Sequence, residues 1–155
     1  MTATPDGRRD LAAMVAPLAR ELIAAEEPVL AAHHISMWGY IVLCALTERP
    51  LRTQAALAQA IRADKSRIIS VLDELQQAGL IQRQPDPADR RVHLLSLTAA
   101  GRERRQSVQA GIRRNEEQLL AQLPDNDRAA FLRSLQTLDN LYRAKLAHET
   151  TPADS

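Results

Sequence analysis

Cysteine is nearly absent from the 155-residue sequence: Cys44 stands alone, so no intramolecular disulfide is possible. That excludes a disulfide-stapled scaffold and fits a reducing compartment. No apolar run is long enough for a transmembrane helix, so no membrane partner is expected. The start, "MTATPDGRRDLAAMV", places arginines before an apolar stretch. Pro17, Arg20 and Glu21 break that stretch, which argues against a signal peptide. There is no glycine-rich phosphate loop, no metal-ligand set and no nucleophile–base pair, and the length leaves no room for a second domain. An enzyme is therefore not expected, and no cofactor is implied. No repeat or low-complexity block is found.

Lysine is scarce too, with only Lys65 and Lys145 beside the arginines. The net charge of +1 hides an asymmetry. Residues 1–48 hold three arginines and six acids, a balance of −3. Residues 49–105 hold eleven basic residues against six acids, a balance of +5, and residues 106–155 come to −1. Positive charge thus gathers in the middle of the chain, where it can attract phosphate. A chain of this size buries roughly 70% of its unfolded surface and needs no metal or disulfide to fold.

Helical spacing dominates what is present. Leu11, Met14, Val15, Leu18, Leu22 and Ile23 recur at helical intervals, with Pro17 and Pro28 expected to kink or interrupt the helix. Ser36 is placed to cap a second helix, almost wholly apolar from Trp38 to Leu46 and ended by Pro50. Thr53 and Asp64 are placed to cap two short helices around a turn at 61–63, a helix-turn-helix arrangement. In the second of these, Ile68, Leu72 and Leu75 share the buried face, and Gly79 follows as a left-handed terminator. "LIQRQ" and "RVHLLSLT" then read as two strands flanking a prolyl turn. Thr98 caps a helix running to about Leu123. Asp125 caps the last helix, with Phe131, Leu135, Leu138, Tyr142 and Leu146 on one face.

The fold class read from this order is mainly α with a small β-hairpin wing: a winged helix-turn-helix flanked by N- and C-terminal dimerisation helices. Residues 10–147 form a single domain, with the winged core at about 50–98 between helices of about 10–33 and 99–147. Residues 1–9 and 148–155 are expected to be flexible ends.

The stretch from Leu57 to Gly101 resembles the MarR family of winged-helix transcription regulators. Leu75, Gly79, Leu80 and Arg83 match the family's recognition-helix ending. Asp86, Asp89, Arg90, Arg91, Leu97, Thr98 and Gly101 match its wing pattern. The resemblance implies a homodimeric, sequence-specific DNA-binding regulator of the cytoplasm, a ligand-relieved repressor on a near-palindromic operator of double-stranded DNA. It aligns Arg91 with the family's groove-inserting arginine, aided by Arg90. A narrow minor groove attracts inserted arginine, and Asp89 can orient the guanidinium through a carboxylate fork.

The first turns of a recognition helix meet base edges. Lys65, Ser66, Arg67 and Ser70 lie off the buried face, and Arg67 can pair with guanine through two donors. Ile69 can touch a thymine methyl or pack. Ser70 departs from the family, which often has arginine there. Arg52, Thr53, Gln54 and Arg83 are placed for phosphate contacts or as solvated side chains.

MarR-like terminal helices interlock two chains, and the apolar stripes of the end helices support this independently. Leu11, Val15, Leu138, Leu141, Tyr142 and Leu146 are the interface candidates. Many family members bind a small aromatic or phenolic molecule; Met37, Trp38, Tyr40 and Arg49 can line such a pocket or simply pack. Adjacent His33 and His34 point different ways and make no zinc pattern with Cys44, so no metal site is expected. Cys44 lies within an apolar helix, away from the chain start where family peroxide sensors place theirs. The alternative reading is a winged-helix module for dimerisation or protein interaction without DNA binding. The arginine-tipped wing and the central positive charge argue against it.

Overall fold

The computed structural model describes residues 7–50 and 52–149. Residues 1–6 and 150–155, most of the two ends expected to be flexible, lie outside the described residues. Of the kink or interruption expected at Pro17 and Pro28, the interruption does not occur: α1 (Leu11–Ala32) runs through both. Pro17 offers no N–H to the Ala13 carbonyl. That oxygen instead accepts from Arg9 Nη2 at 3.2 Å. Most of α1 is exposed, so a carbonyl without its helical donor is solvated at little cost.

Short polar side chains start the next helices by taking up orphan N–H groups. Ser36 Oγ accepts from Gly39 N at the head of α2 (Met37–Glu48). The two-residue strand β1 (Arg52–Thr53) follows, and Thr53 Oγ1 accepts from Ala56 N at the start of α3 (Gln54–Ile61). Asp64 Oδ1 accepts from Arg67 N at 2.8 Å and opens α4 (Lys65–Gln77). Then come β2 (Ile81–Pro85), β3 (His93–Leu97), α5 (Ala99–Leu120) and α6 (Asp125–Glu149). Asp125 is the first residue of α6 rather than the residue before it.

Helices α1, α3 and α4 end alike, through one left-handed residue. Ile35 N donates to Leu30 O, Ala63 N to Ala58 O and Leu80 N to Leu75 O, each tying the outgoing chain back to the last turn. Gly79 adopts its φ of +72° without strain. His34 and Arg62 adopt the same conformation at φ +51° and +55°, which side-chain-bearing residues normally avoid.

The wing pairs β2 with β3 from Ile81↔Leu97 to Pro85↔His93. Rather than a two-stranded hairpin, the sheet has three strands in the order β1-β3-β2, because β1 adds Arg52↔Leu95 and Thr53↔Leu94 on the other edge. Thr98 locks the sheet's exit. Its hydroxyl donates to Gly79 O at 2.6 Å and accepts from Gly101 N at 3.0 Å, while its own N donates to Leu80 O. Gly101 is required there: a Cβ at that position would lie 2.0 Å from the Leu80 carbonyl oxygen.

The chain divides into two compact units, one ending at Arg113 and the other beginning at Arg114. The first holds the whole buried core. Leu43, Leu46, Leu57, Ile68, Leu72, Leu80, Leu95, Val42 and Val108 are its fully buried side chains. In the second, Arg128 of α6 pairs with Glu117 of α5, and no described residue is buried.

Candidate nucleic-acid interface

The α4 helix sorts its residues by helical phase. Ile68, Val71, Leu72 and Leu75 face the core, which turns Lys65, Ser66, Arg67 and Ser70 outward to solvent. Ile69 is 40% exposed and is not part of the core. Arg67 is not a loose side chain. Its Cζ lies 5.2 Å from the centre of the Trp38 ring, within cation–π range. Its Nε lies 3.8 Å from Asp64 Oδ2. Trp38, Asp64, Ser66, Arg67 and Ser70 line an open cleft of about 570 Å³.

Both wing aspartates build the turn before they do anything else. Asp86 Oδ1 accepts from Ala88 N, and Asp89 Oδ1 accepts from Arg91 N. Asp86 N donates to Val92 O and Val92 N to Asp89 O, which closes the tip. The Asp89 carboxylate also takes the Arg91 side chain as a fork, with Nε at 3.1 Å from Oδ1 and Nη2 at 3.4 Å from Oδ2. These hydrogen bonds from Arg91 hold the Asp89 carboxyl below its ordinary value. Arg91 keeps 91% of its side chain exposed, and Arg90 beside it is exposed as well. The fork and a guanidinium open to solvent therefore coexist.

Arg83 sits at the base of the wing and spends its guanidinium within the protein: Nη2 donates to Asp73 Oδ1 at 3.1 Å. Asp73 is on α4, so this pair ties strand to helix. The two residues lie ten positions apart, and no local spacing signals the contact. Arg52 and Thr53 form β1, half-buried, and Gln54 begins α3, also half-buried. The Thr53 hydroxyl already serves as a cap acceptor.

The family model described as MarR family matches residues 35–93, the stretch from Ile35 to the first residue of β3. A putative transcriptional regulatory protein for the hcr operon of Thauera aromatica is 31% identical over 99 residues, 64% of this chain and 60% of that protein. Among solved structures, the transcriptional repressor CouR bound to a 23-mer DNA duplex superposes with a TM-score of 0.71. It is 26% identical, over 84% of this chain and 92% of that one. The PcaV transcriptional regulator from Streptomyces coelicolor, solved with its natural ligand, gives a TM-score of 0.61 at 28% identity. There the match covers 86% of this chain and 97% of that one. Over residues 35–93 this chain is similar to the MarR family. It spans about 60% of the length of the first curated relatives it matches.

The four candidate pocket residues differ in exposure. Met37, Trp38 and Tyr40 are half-buried against the core, whereas Arg49 is exposed just past the end of α2. Of the four, only Trp38 lines the cleft beside α4. Burial pushes the Tyr40 phenol above its ordinary value, and the neighbouring Cys44 adds to this while Arg105 opposes it. Tyr40 is thus a neutral hydroxyl at physiological pH. His33 and His34 serve the α1–α2 turn: His33 Nδ1 bonds Val29 O at 2.8 Å, and Arg104 Nη1 donates to His33 O. No group of three metal-capable side chains occurs among the described residues.

The interface candidates are surface residues of their helices. Leu11 and Val15 on α1 are exposed, as are Leu138, Leu141 and Tyr142 on α6, and Leu146 is half-buried. No single helix among the described residues is long and apolar enough to cross a membrane.

Proposed function

We propose that this chain is a homodimeric, sequence-specific DNA-binding transcriptional regulator, a ligand-relieved repressor of the cytoplasm acting on a near-palindromic operator. One observation carries the reading: a recognition-type helix with Lys65, Ser66, Arg67 and Ser70 turned outward, paired with a hairpin whose exposed Arg91 is aimed by Asp89. Helix α4 lies in the major groove, where Arg67 reads guanine and Ile69 meets a thymine methyl. Arg91, with Arg90 beside it, enters the minor groove, while Arg52, Thr53 and Gln54 flank the backbone. Arg83 acts mainly by bracing the wing, given its pairing with Asp73.

Residues 10–147 act as one domain, and the end helices join two chains through Leu11, Val15, Leu138, Leu141, Tyr142 and Leu146. In such a dimer the two recognition helices meet successive major grooves roughly 34 Å apart. Met37, Trp38 and Tyr40 offer apolar and aromatic surface to a small aromatic or phenolic effector. The likeness to PcaV, solved with its natural ligand, supports a ligand-responsive reading. No feature favours catalysis, and the regulators it resembles are named for transcriptional control.

The test uses the full chain and a duplex enriched by it from a randomised pool. Arg91→Ala is expected to weaken binding and lower the slope of log affinity against log salt by about one unit, through lost counterion release. Dimerisation should persist. Unchanged affinity with an unchanged salt slope would make the wing an ordinary solvated turn.

A further inference from the structure

We infer that Trp38 is a positioning residue for Arg67, its indole face fixing the plane of the guanidinium that reads a base. This rests on the proposed role of Arg67 in base recognition.

The chain has a single tryptophan, and it stands in the first turn of α2 rather than on the recognition helix. Trp38 is half-buried and packs against the core, which makes it a fixed platform. Arg67 lies over its ring at 5.2 Å from the centroid. Asp64 holds the same side chain from its own helix end, with Oδ2 at 3.8 Å from Nε while Oδ1 caps α4. A long side chain beside the DNA interface is thus restrained from two elements at once.

Stacking and hydrogen bonding use different parts of a guanidinium. A ring that engages the face of a guanidinium leaves its N–H donors, which lie in the plane, pointing outward from the edge. Half of the Arg67 side chain remains exposed, and it borders the open cleft shared with Ser66 and Ser70. An arginine held this way can offer its edge to guanine without leaving the ring. Its rotamer freedom is partly surrendered before DNA arrives, so less is lost on binding. Lysine has no planar fork to be oriented, so the device is specific to arginine.

The experiment is a double-mutant cycle on the full-length protein, with the enriched duplex and a shuffled duplex as probes. Trp38→Leu should weaken the enriched duplex about 2- to 5-fold, the range of an exposed cation–π contact, and leave the shuffled duplex unchanged. Trp38→Phe, which keeps an aromatic face, should do less. In an Arg67→Ala background neither change at Trp38 should matter. If Trp38→Leu fails to fold, Trp38→Phe and Arg67→Lys complete the cycle: Arg67→Lys should lose selectivity and make Trp38→Phe silent. If Arg67→Ala is selective but the Trp38 changes are silent, or cost as much without Arg67, the positioning role is overturned while base reading stands. Tighter binding by Trp38→Leu would also overturn it, since the stack would then oppose recognition. If Arg67→Ala costs the same on both duplexes, base reading itself fails and this inference falls with it.

Discussion

On α4, Ile68, Val71, Leu72 and Leu75 are buried, while on α6 Phe131, Leu135, Leu138 and Tyr142 recur at similar spacing and remain exposed, Leu138 by 64%. Amphipathic spacing states which face seeks cover but not what covers it. The α4 helix finds cover inside its own unit, from a core shared with α2, α3, the sheet and α5. The described residues of the second unit include no buried side chain. Such a stripe fits the association surface proposed above. The two helices also start differently. Asp64 caps α4 by a side-chain hydrogen bond, whereas α6 has Asp125 and Asp127 within its first turn, where carboxylates favour the positive helix end.

The contrast can be broken first in the core. Leu72→Ala should cost about 2–5 kcal/mol in urea unfolding, because it empties a fully buried site. Leu138→Ala should leave the intrinsic stability of the chain nearly unchanged. Comparable losses at both positions, independent of protein concentration, would show that α6 is covered from within the chain.

A charge on the α6 stripe sharpens the other side. Leu138→Asp is expected to raise the dimer dissociation constant by at least about tenfold, the consequence of burying an unpaired carboxylate in an interface. Sedimentation velocity across a dilution series reads this directly. A dimer as tight as the wild type would move the interface elsewhere.

A smaller effect separates the two helix starts. Asp64→Ala should cost about 0.5–2 kcal/mol by thermal melting, through loss of the cap on Arg67 N. It should also loosen Arg67 and so reduce binding of the enriched duplex. Asp125→Ala should cost less, within the few tenths to 1 kcal/mol of a helix-dipole interaction.

The smallest effect concerns acid. The Asp89 carboxyl titrates below its ordinary value because Arg91 donates to its charged form. The fork is therefore complete at neutral pH and is lost only as pH falls through that lowered value. Arg91→Ala should bring the Asp89 titration, followed by carboxyl NMR, back up toward the ordinary value near 3.9. An unmoved titration would mean that the fork is absent in solution.

Much of this molecule was legible from residue types. Ser36, Thr53, Asp64 and Thr98 cap the helices they precede, because a short side-chain oxygen can reach only an N–H two or three residues ahead. Gly79 terminates α4 for an equally local reason. The wing aspartates and arginines could be named because the turn chemistry and the fork lie within two residues of each other. Other features left no local trace. His34 and Arg62 hold left-handed positions that their side chains do not favour. Strand β1 is two residues long, too short for any alternation to show. The continuity of α1 through Pro17 and Pro28 is not signalled by helix propensity, and Arg9 meets the carbonyl that Pro17 leaves without a donor.

The sequence by itself determined the side-chain caps of α2, α3, α4 and α5, the apolar face of each helix and the charge and turn chemistry of the wing, since each depends on neighbours a few residues away. Only the tertiary structure decided which arginines are free to reach outward and which are engaged. Arg83 meets Asp73 ten residues back, and Arg67 meets Trp38 from a different helix. Such contacts follow from how α2, α4 and the sheet pack around Leu43, Leu72 and Leu95, and no spacing along the chain encodes that arrangement.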